Sequence, residues 1–160
     1  MQTVLRPIRP SDDVQLAKLI KSVLAEFKAN KPGTAYFDES TNHLSVLFEN
    51  PKSAYWVCEA EGKIIGAGGI YPTEGLPEGV CELVKLYLYP EGRGKGLGKL
   101  LMQKCFEQAR QLGYQQIYLE TMPELNQAVN LYHALGFKSL DKAMGNSGHF
   151  GCNIWMVKDV

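Results

Sequence analysis

From residue 90 the chain reads Pro-Glu-Gly-Arg-Gly-Lys-Gly-Leu-Gly-Lys, with glycine at every second position from Gly92 to Gly98 and positive charge at Arg93, Lys95 and Lys99. Glycines at that spacing strip a turn of side chains and let backbone N–H groups converge. A helix starting directly after them adds unpaired donors and partial positive charge. Such a turn is an anion cradle, and its flanking cations suit a pyrophosphate or a ribose phosphate. The competing reading is a tight strand-to-helix connection with solvent-facing lysines. The dinucleotide fingerprint G-x-G-x-x-G would need glycine where Lys99 stands, and the Walker A spacing is absent as well.

The other reactive side chains are scattered. Cys58, Cys81, Cys105 and Cys152 form no CxxC pair, and His43, His133 and His149 show no ligand spacing, so no metal is implied. The cysteines read as small core hydrophobes of a reducing compartment. No Cys-His-Asp order supports a covalent cysteine intermediate, and on a strand Cys81 must face away from its neighbour Glu82. Seventeen basic residues balance seventeen acidic ones, which leaves no general field for nucleic acid or anionic lipid. The first ten residues lack the apolar stretch of a signal peptide, and no later run nears the roughly 20 apolar residues of a membrane span. The expected location is cytoplasmic, with no membrane or nucleic-acid partner.

The elements that must position these groups follow from periodicity. At 160 residues and 45% hydrophobic composition, one domain spanning 1–160 is expected. Residues 3–9, with Pro7 inside the run and Pro10 just after it, suit an edge strand. Val14, Leu16, Leu19, Ile20, Val23, Leu24 and Phe27 recur at helical spacing after Ser11 or Asp12, either of which can cap the helix. Residues 38–49 carry a weaker helical pattern. Two strand-like runs, 54–60 and 63–71, flank Glu61-Gly62 as a hairpin, with Gly66, Gly68 and Gly69 marking a bulge or close packing in the second. Strands are expected at 80–89, 116–120, 137–140 and 152–157, and helices after Gly96 and over 124–135. A mixed, mostly antiparallel sheet with helices on both faces buries this α/β pattern.

Arg93-x-x-Gly96-x-Gly98 at a helix start resembles the acyl-coenzyme-A signature of the GNAT acetyltransferase superfamily. Leu5-Arg6-Pro7-Ile8-Arg9 followed by Asp12 is similar to that family's first strand and helix cap. Asn126-x-Ala128-x-x-Leu131-Tyr132-x-x-x-Gly136-Phe137 is similar to its last helix and the following strand. The resemblance implies the GNAT fold and acetyl transfer from acetyl-CoA to a primary amine. It implies that the backbone amides of Arg93, Gly94, Lys95, Gly96, Leu97 and Gly98 hold the pyrophosphate beside Lys99. It further implies that the strand ending near Leu88 pairs with the pantetheine arm, between two strands that splay apart, and that Asn126 holds the cofactor or its loop. A homodimer is implied too, with support from the apolar strand 154–157. An acyl-CoA-binding sensor with little turnover is the alternative.

In direct transfer the amine must shed a proton, the carbonyl must be polarised, and sulfur must gain a proton. The resemblance makes Glu82 the candidate base and Tyr132 the donor to sulfur. Plainer readings stand beside these: Glu82 paired with Lys85 or Lys63, Tyr132 packed in the core, and Asn126 as a helix cap. The polar stretch 145–155 departs from the family pattern and reads either as an acceptor-recognition loop, with Asn146, Ser147 and His149 as donors and Trp155 as a wall, or as an ordinary connection. Tyr36, Phe37 and Tyr71, with Glu74 and Glu78, are expected to border the acceptor channel. That composition suits a small cationic amine, with a protein or peptide amine as the other acceptor class.

Overall fold

The computed structural model describes residues 2–160. One seven-stranded sheet runs through them: β1 (Thr3–Pro7), β2 (Ala54–Ala60), β3 (Lys63–Tyr71), β4 (Val80–Leu88), β5 (Gln116–Thr121), β6 (Lys138–Leu140) and β7 (Ile154–Asp159), in the order β1-β2-β3-β4-β5-β7-β6. All neighbours pair antiparallel except β4 and β5. The helices are α1 (Asp13–Glu26), α2 (Leu44–Leu47), α3 (Leu97–Gln111) and α4 (Asn126–Ala134).

Alternation along β2 divides the core. Tyr55 and Val57 face the fully buried Leu16, Leu19, Ile20 and Leu24 of α1, while Trp56 faces the opposite layer under α3 and α4. Truncating one such leucine to alanine is worth about 2–5 kcal/mol. The hairpin turn places Glu61 at φ 52° and Gly62 at φ 77°, matching the right-handed twist of the strands it joins. Gly113, at φ 88°, ends α3, and the next amide, Tyr114 N–H, returns to the Ala109 carbonyl at 3.0 Å.

Three expectations change. Asp12 precedes α1, but its carboxylate accepts from the Arg9 amide at 2.7 Å and from Arg6 at 2.8 and 2.9 Å instead of capping the helix. The pattern over 38–49 becomes a 3-10 turn, Glu39–Asn42, and the single turn α2. His43, at φ −140° and ψ 48°, divides them, in a stretch whose Ser, Thr and Asn side chains compete with helix hydrogen bonds. β7 lies between β5 and β6, so it is an interior strand and lends no support to a homodimer through a free apolar edge.

Two departures from regular pairing create the site. Lys85 and Leu86 of β4 stand opposite the single residue Gly68 of β3, and Lys85 takes φ 51°. A side chain at Gly66 or Gly68 would collide with Leu88 or Leu86, so the glycines mark this close-packed bulge. β4 and β5 pair only over Val80–Glu82 and Gln116–Tyr118, then diverge. The gap between them has no ladder to close it.

Candidate active site

The gap opens on two cavities, each of about 330 Å³. The first runs along the α3 face. Its floor is Leu86, Leu88 and Leu119, its far wall Ala128, Leu131 and Tyr132, and its end the turn containing Gly94, Gly96 and Gly98. Gly94 and Gly96 take φ 72° and 77°, and a Cβ on either would point into open space. Among the described residues, no protein acceptor takes the backbone N–H groups of residues 94–99. A side-chain-free turn with six unsatisfied donors at the N-terminus of a 15-residue helix is built for a polyanion.

Arg93 has another task than the mobile charge expected of it. Its guanidinium donates to the Leu88 carbonyl at 2.9 and 3.1 Å and to Glu26 at 2.6 and 2.8 Å, and lies 4.9 Å over the Phe27 ring. It fastens the end of β4 to α1. Lys95 folds back onto the Glu91 carbonyl at 2.8 Å and does not line the cavity, whereas Lys99 does. Asn126 is exposed and outside the lining, with Leu125 and Gln127 taking the place expected for it. It is the first residue of α4, and its side chain makes no cap.

The second cavity lies on the α1 side and is lined by polar groups: Asp38, Thr73, Glu74, Glu82, Lys85, Glu120, Asn146, Ser147 and His149. Tyr71 also lines it, but Tyr36 and Phe37 do not: Tyr36 packs into the α1 core, and Phe37 is 61% exposed. Glu78 and Trp155 stand outside as well, since β7 carries Trp155 opposite Glu120 and Leu140. The stretch 145–152 is laid across the mouth. The Asn146 amide donates to the Glu74 carbonyl at 2.7 Å, Ser147 Oγ to Glu120, and the Gly151 amide to the Gly33 carbonyl at 2.9 Å. His149 Nε2 lies 2.6 Å from Asp38 Oδ2.

Leu83, Lys85, Tyr87, Glu120, Thr121 and Leu125 line both cavities and form the wall where they meet. Sequence reasoning missed Asp38, Thr73, Lys85, Glu120 and Thr121. Lys85 and Glu120 had one visible signal, a charge directly beside apolar residues in a strand, Val84 and Leu86 in β4 and Leu119 in β5.

Glu82 is 4% exposed and pairs with neither lysine proposed for it: Lys85 binds Asp38 at 3.0 Å, and Lys63 binds Glu91 at 3.1 Å. Its partner is the Thr73 hydroxyl, which donates at 2.5 Å. Burial pushes Glu82 up to about 7. The Thr73 bond pulls it back, and the charge of Glu120 pushes it further. Burial is the largest single influence on Asp38 and His149 and opposes charge on both, but their mutual bond and charges, joined by Lys85 on Asp38 and by Glu82 on His149, together exceed it, lowering the carboxyl and raising the imidazole. Burial holds the Tyr132 phenol well above its usual value, and its hydroxyl makes no protein hydrogen bond. Cys81 turns into the opposite core, and burial raises both Cys81 and Cys152 to about 12, leaving no thiolate for covalent chemistry.

The family model described as acetyltransferase (GNAT) family matches residues 18–137. This chain belongs to that family. The uncharacterized N-acetyltransferase YjgM of Escherichia coli (strain K12) is 40% identical over 159 residues, covering 98% of this chain and 95% of that protein. Among solved structures, a GNAT-family acetyltransferase of Staphylococcus aureus Mu50 superposes with a TM-score of 0.88 at 18% identity, covering 99% of each chain. The PaiA N-acetyltransferase of Thermoplasma acidophilum, solved in complex with coenzyme A, superposes with a TM-score of 0.78 at 18% identity, covering 100% of each. This GNAT acetyltransferase thus has the family fold along its whole described length. No helix among the described residues is long and apolar enough to cross a membrane.

Proposed function

We propose that the chain transfers the acetyl group of acetyl-CoA to a primary amine in a ternary complex, and that the amine belongs to a small cationic molecule. The meeting of the two cavities at one wall carries this reading. A donor entering from the glycine turn and an acceptor entering under the 145–152 loop reach each other only there. The fit to the coenzyme rests on the free N–H groups at Gly94 and Gly96, where any side chain would occupy the cradle. Gly94, Gly96, Leu97, Gly98 and Lys99 hold the pyrophosphate, and Leu88 flanks the pantetheine arm.

The thioester supplies the electrophilic carbonyl. Glu82 takes a proton from the incoming ammonium, and the freed amine attacks. The C–N bond forms as the C–S bond breaks, the second proton of the nitrogen is removed and the departing sulfur gains one proton, and Tyr132 donates a hydrogen bond to that sulfur. Holding both reactants at one wall provides much of the rate. The acceptor cavity carries Asp38, Glu39, Glu74, Glu82 and Glu120 against Lys85 and His149, an excess of carboxylate that favours a cation. Asn146 and His149 of the roofing loop, with Tyr71, select among amines. A screen of polyamines, amino acids, aminoglycosides and short peptides for thiol release tests the proposal. Release that requires a primary amine supports transfer. Tight acetyl-CoA binding with no release for any amine would instead make the chain a sensor.

A further inference from the structure

Two carboxylates stand together in the second cavity, Glu82 and, in the wall it shares with the first, Glu120. Glu82 is 4% exposed as a residue and Glu120 4% exposed in its side chain, and their oxygens and a ring nitrogen of His149 all lie within 4.8 Å of one another. Hydroxyls fix both: Thr73 donates to Glu82 at 2.5 Å, and Tyr118 at 2.6 Å and Ser147 donate to Glu120. The one basic group near Glu120 is His149 Nδ1, at 3.9 Å, and that ring is already committed through Nε2 to Asp38. In the same wall the Thr121 hydroxyl is buried with no hydrogen-bond partner, a polar atom left for a ligand to satisfy. We propose that Glu82 and Glu120 form a proton-sharing pair that holds one proton at rest and gives it up when the acceptor's ammonium group enters between them.

This rests on the transferase reading above and closes its proton count. Asp38, Glu82 and Glu120 face two cations, Lys85 and His149, which leaves one carboxylate charge unbalanced, so the pair binds one proton and titrates as a unit. An ammonium replaces that proton, which goes to solvent. Glu82 then takes the first ammonium proton. After the C–N bond forms, Glu120 takes the second from nitrogen, and one of the two passes to the departing sulfur as the C–S bond breaks. The pair is left with one proton, as at rest. Ammonium and thioester have become amide, thiol and one released proton.

The groups facing Glu82 are Lys85 on its own strand, Tyr118 and Glu120 on β5, Thr73 before β4, and His149 and Cys152 on the loop. Glu120 is the charged neighbour that raises Glu82, whereas the charges of His149 and Lys85 lower it by less, Lys85 being bound to Asp38. Carbon NMR of the Glu carboxyls reads the pair directly, in the parent, Glu120→Gln and Glu82→Gln, with and without saturating 1,4-diaminobutane as the ammonium probe. In the parent the Glu82 carboxyl should respond near pH 7, and the signal of its partner carboxyl should change in the same step. In Glu120→Gln the Glu82 midpoint should fall by roughly one unit, a tenfold gain in its ionised-to-protonated ratio. The diamine should lower the parent midpoint in the same direction. An unchanged Glu82 midpoint in Glu120→Gln, or no response to the diamine, overturns the proposal. Thiol release measured in parallel separates the two readings. Turnover with independent titrations keeps the transferase and removes the pair, whereas a coupled pair without turnover removes the transferase.

Discussion

At the scale of single residues, the proposed chemistry divides between Glu82 and Tyr132. Glu82 works as a base only when ionised. Its value, raised by burial to about 7, makes kcat/KM climb as pH rises through that region and fall below it. Glu82→Gln should remove the climb and lower kcat on the order of 100-fold, read in a pH profile. Tyr132→Phe should reduce the single-turnover rate while leaving acetyl-CoA affinity and Tm nearly unchanged, because the hydroxyl has no protein partner to lose. Equal rates for Phe and Tyr, with chemistry rate-limiting, would return Tyr132 to a packing role. Glu82 and Tyr132 were legible because they fall inside family-like motifs. Glu120 was not, since a single strand carboxylate carries no sign of what it faces until β5 meets the loop and β4 in space.

Among the elements, the glycine turn and the roofing loop make separable predictions. Gly96→Val puts a β-branched residue at φ 77°, at about 1–2 kcal/mol of backbone strain, and fills the cradle. Lys99→Ala removes one flexible charge. Calorimetry should show acetyl-CoA affinity falling far more for Gly96→Val than for Lys99→Ala, and equal affinities would displace the cradle. The roofing loop is fastened by His149 and Asp38. The raised imidazole contributes fully below its ordinary 6.5 and is lost as pH rises through its higher folded value. The lowered carboxyl contributes above 3.8 and is lost as pH falls through its lower folded value. Amide exchange in 145–152, taken relative to the intrinsic rate at each pH, should therefore be slowest between about pH 4 and 6.5. His149→Ala should abolish that minimum. Strands, hairpin and the long helices were readable from period and punctuation alone. The strand order, with β7 inside β6, and the bulge at Lys85 depend on distant partners that local pattern does not encode.

For the whole molecule, the fold gives an electrically balanced chain a strong local asymmetry: carboxylates are gathered in one cavity and the backbone donors of the glycine turn in another. We retain a homodimer as a proposal from family resemblance, checked by sedimentation at micromolar concentration, where a species of only one chain's mass would count against it. The sheet's interior β7 directs any such contact to a surface other than that strand. The central claim is group transfer at the shared wall, and following an isotope-labelled acetyl group from acetyl-CoA by mass spectrometry tests it most directly. With an amine that elicits thiol release, the label should appear on the amine nitrogen in amounts equal to the thiol formed, and Glu82→Gln should slow both together. Label that stays on the coenzyme, or thiol that forms without labelled amide, would contradict the account.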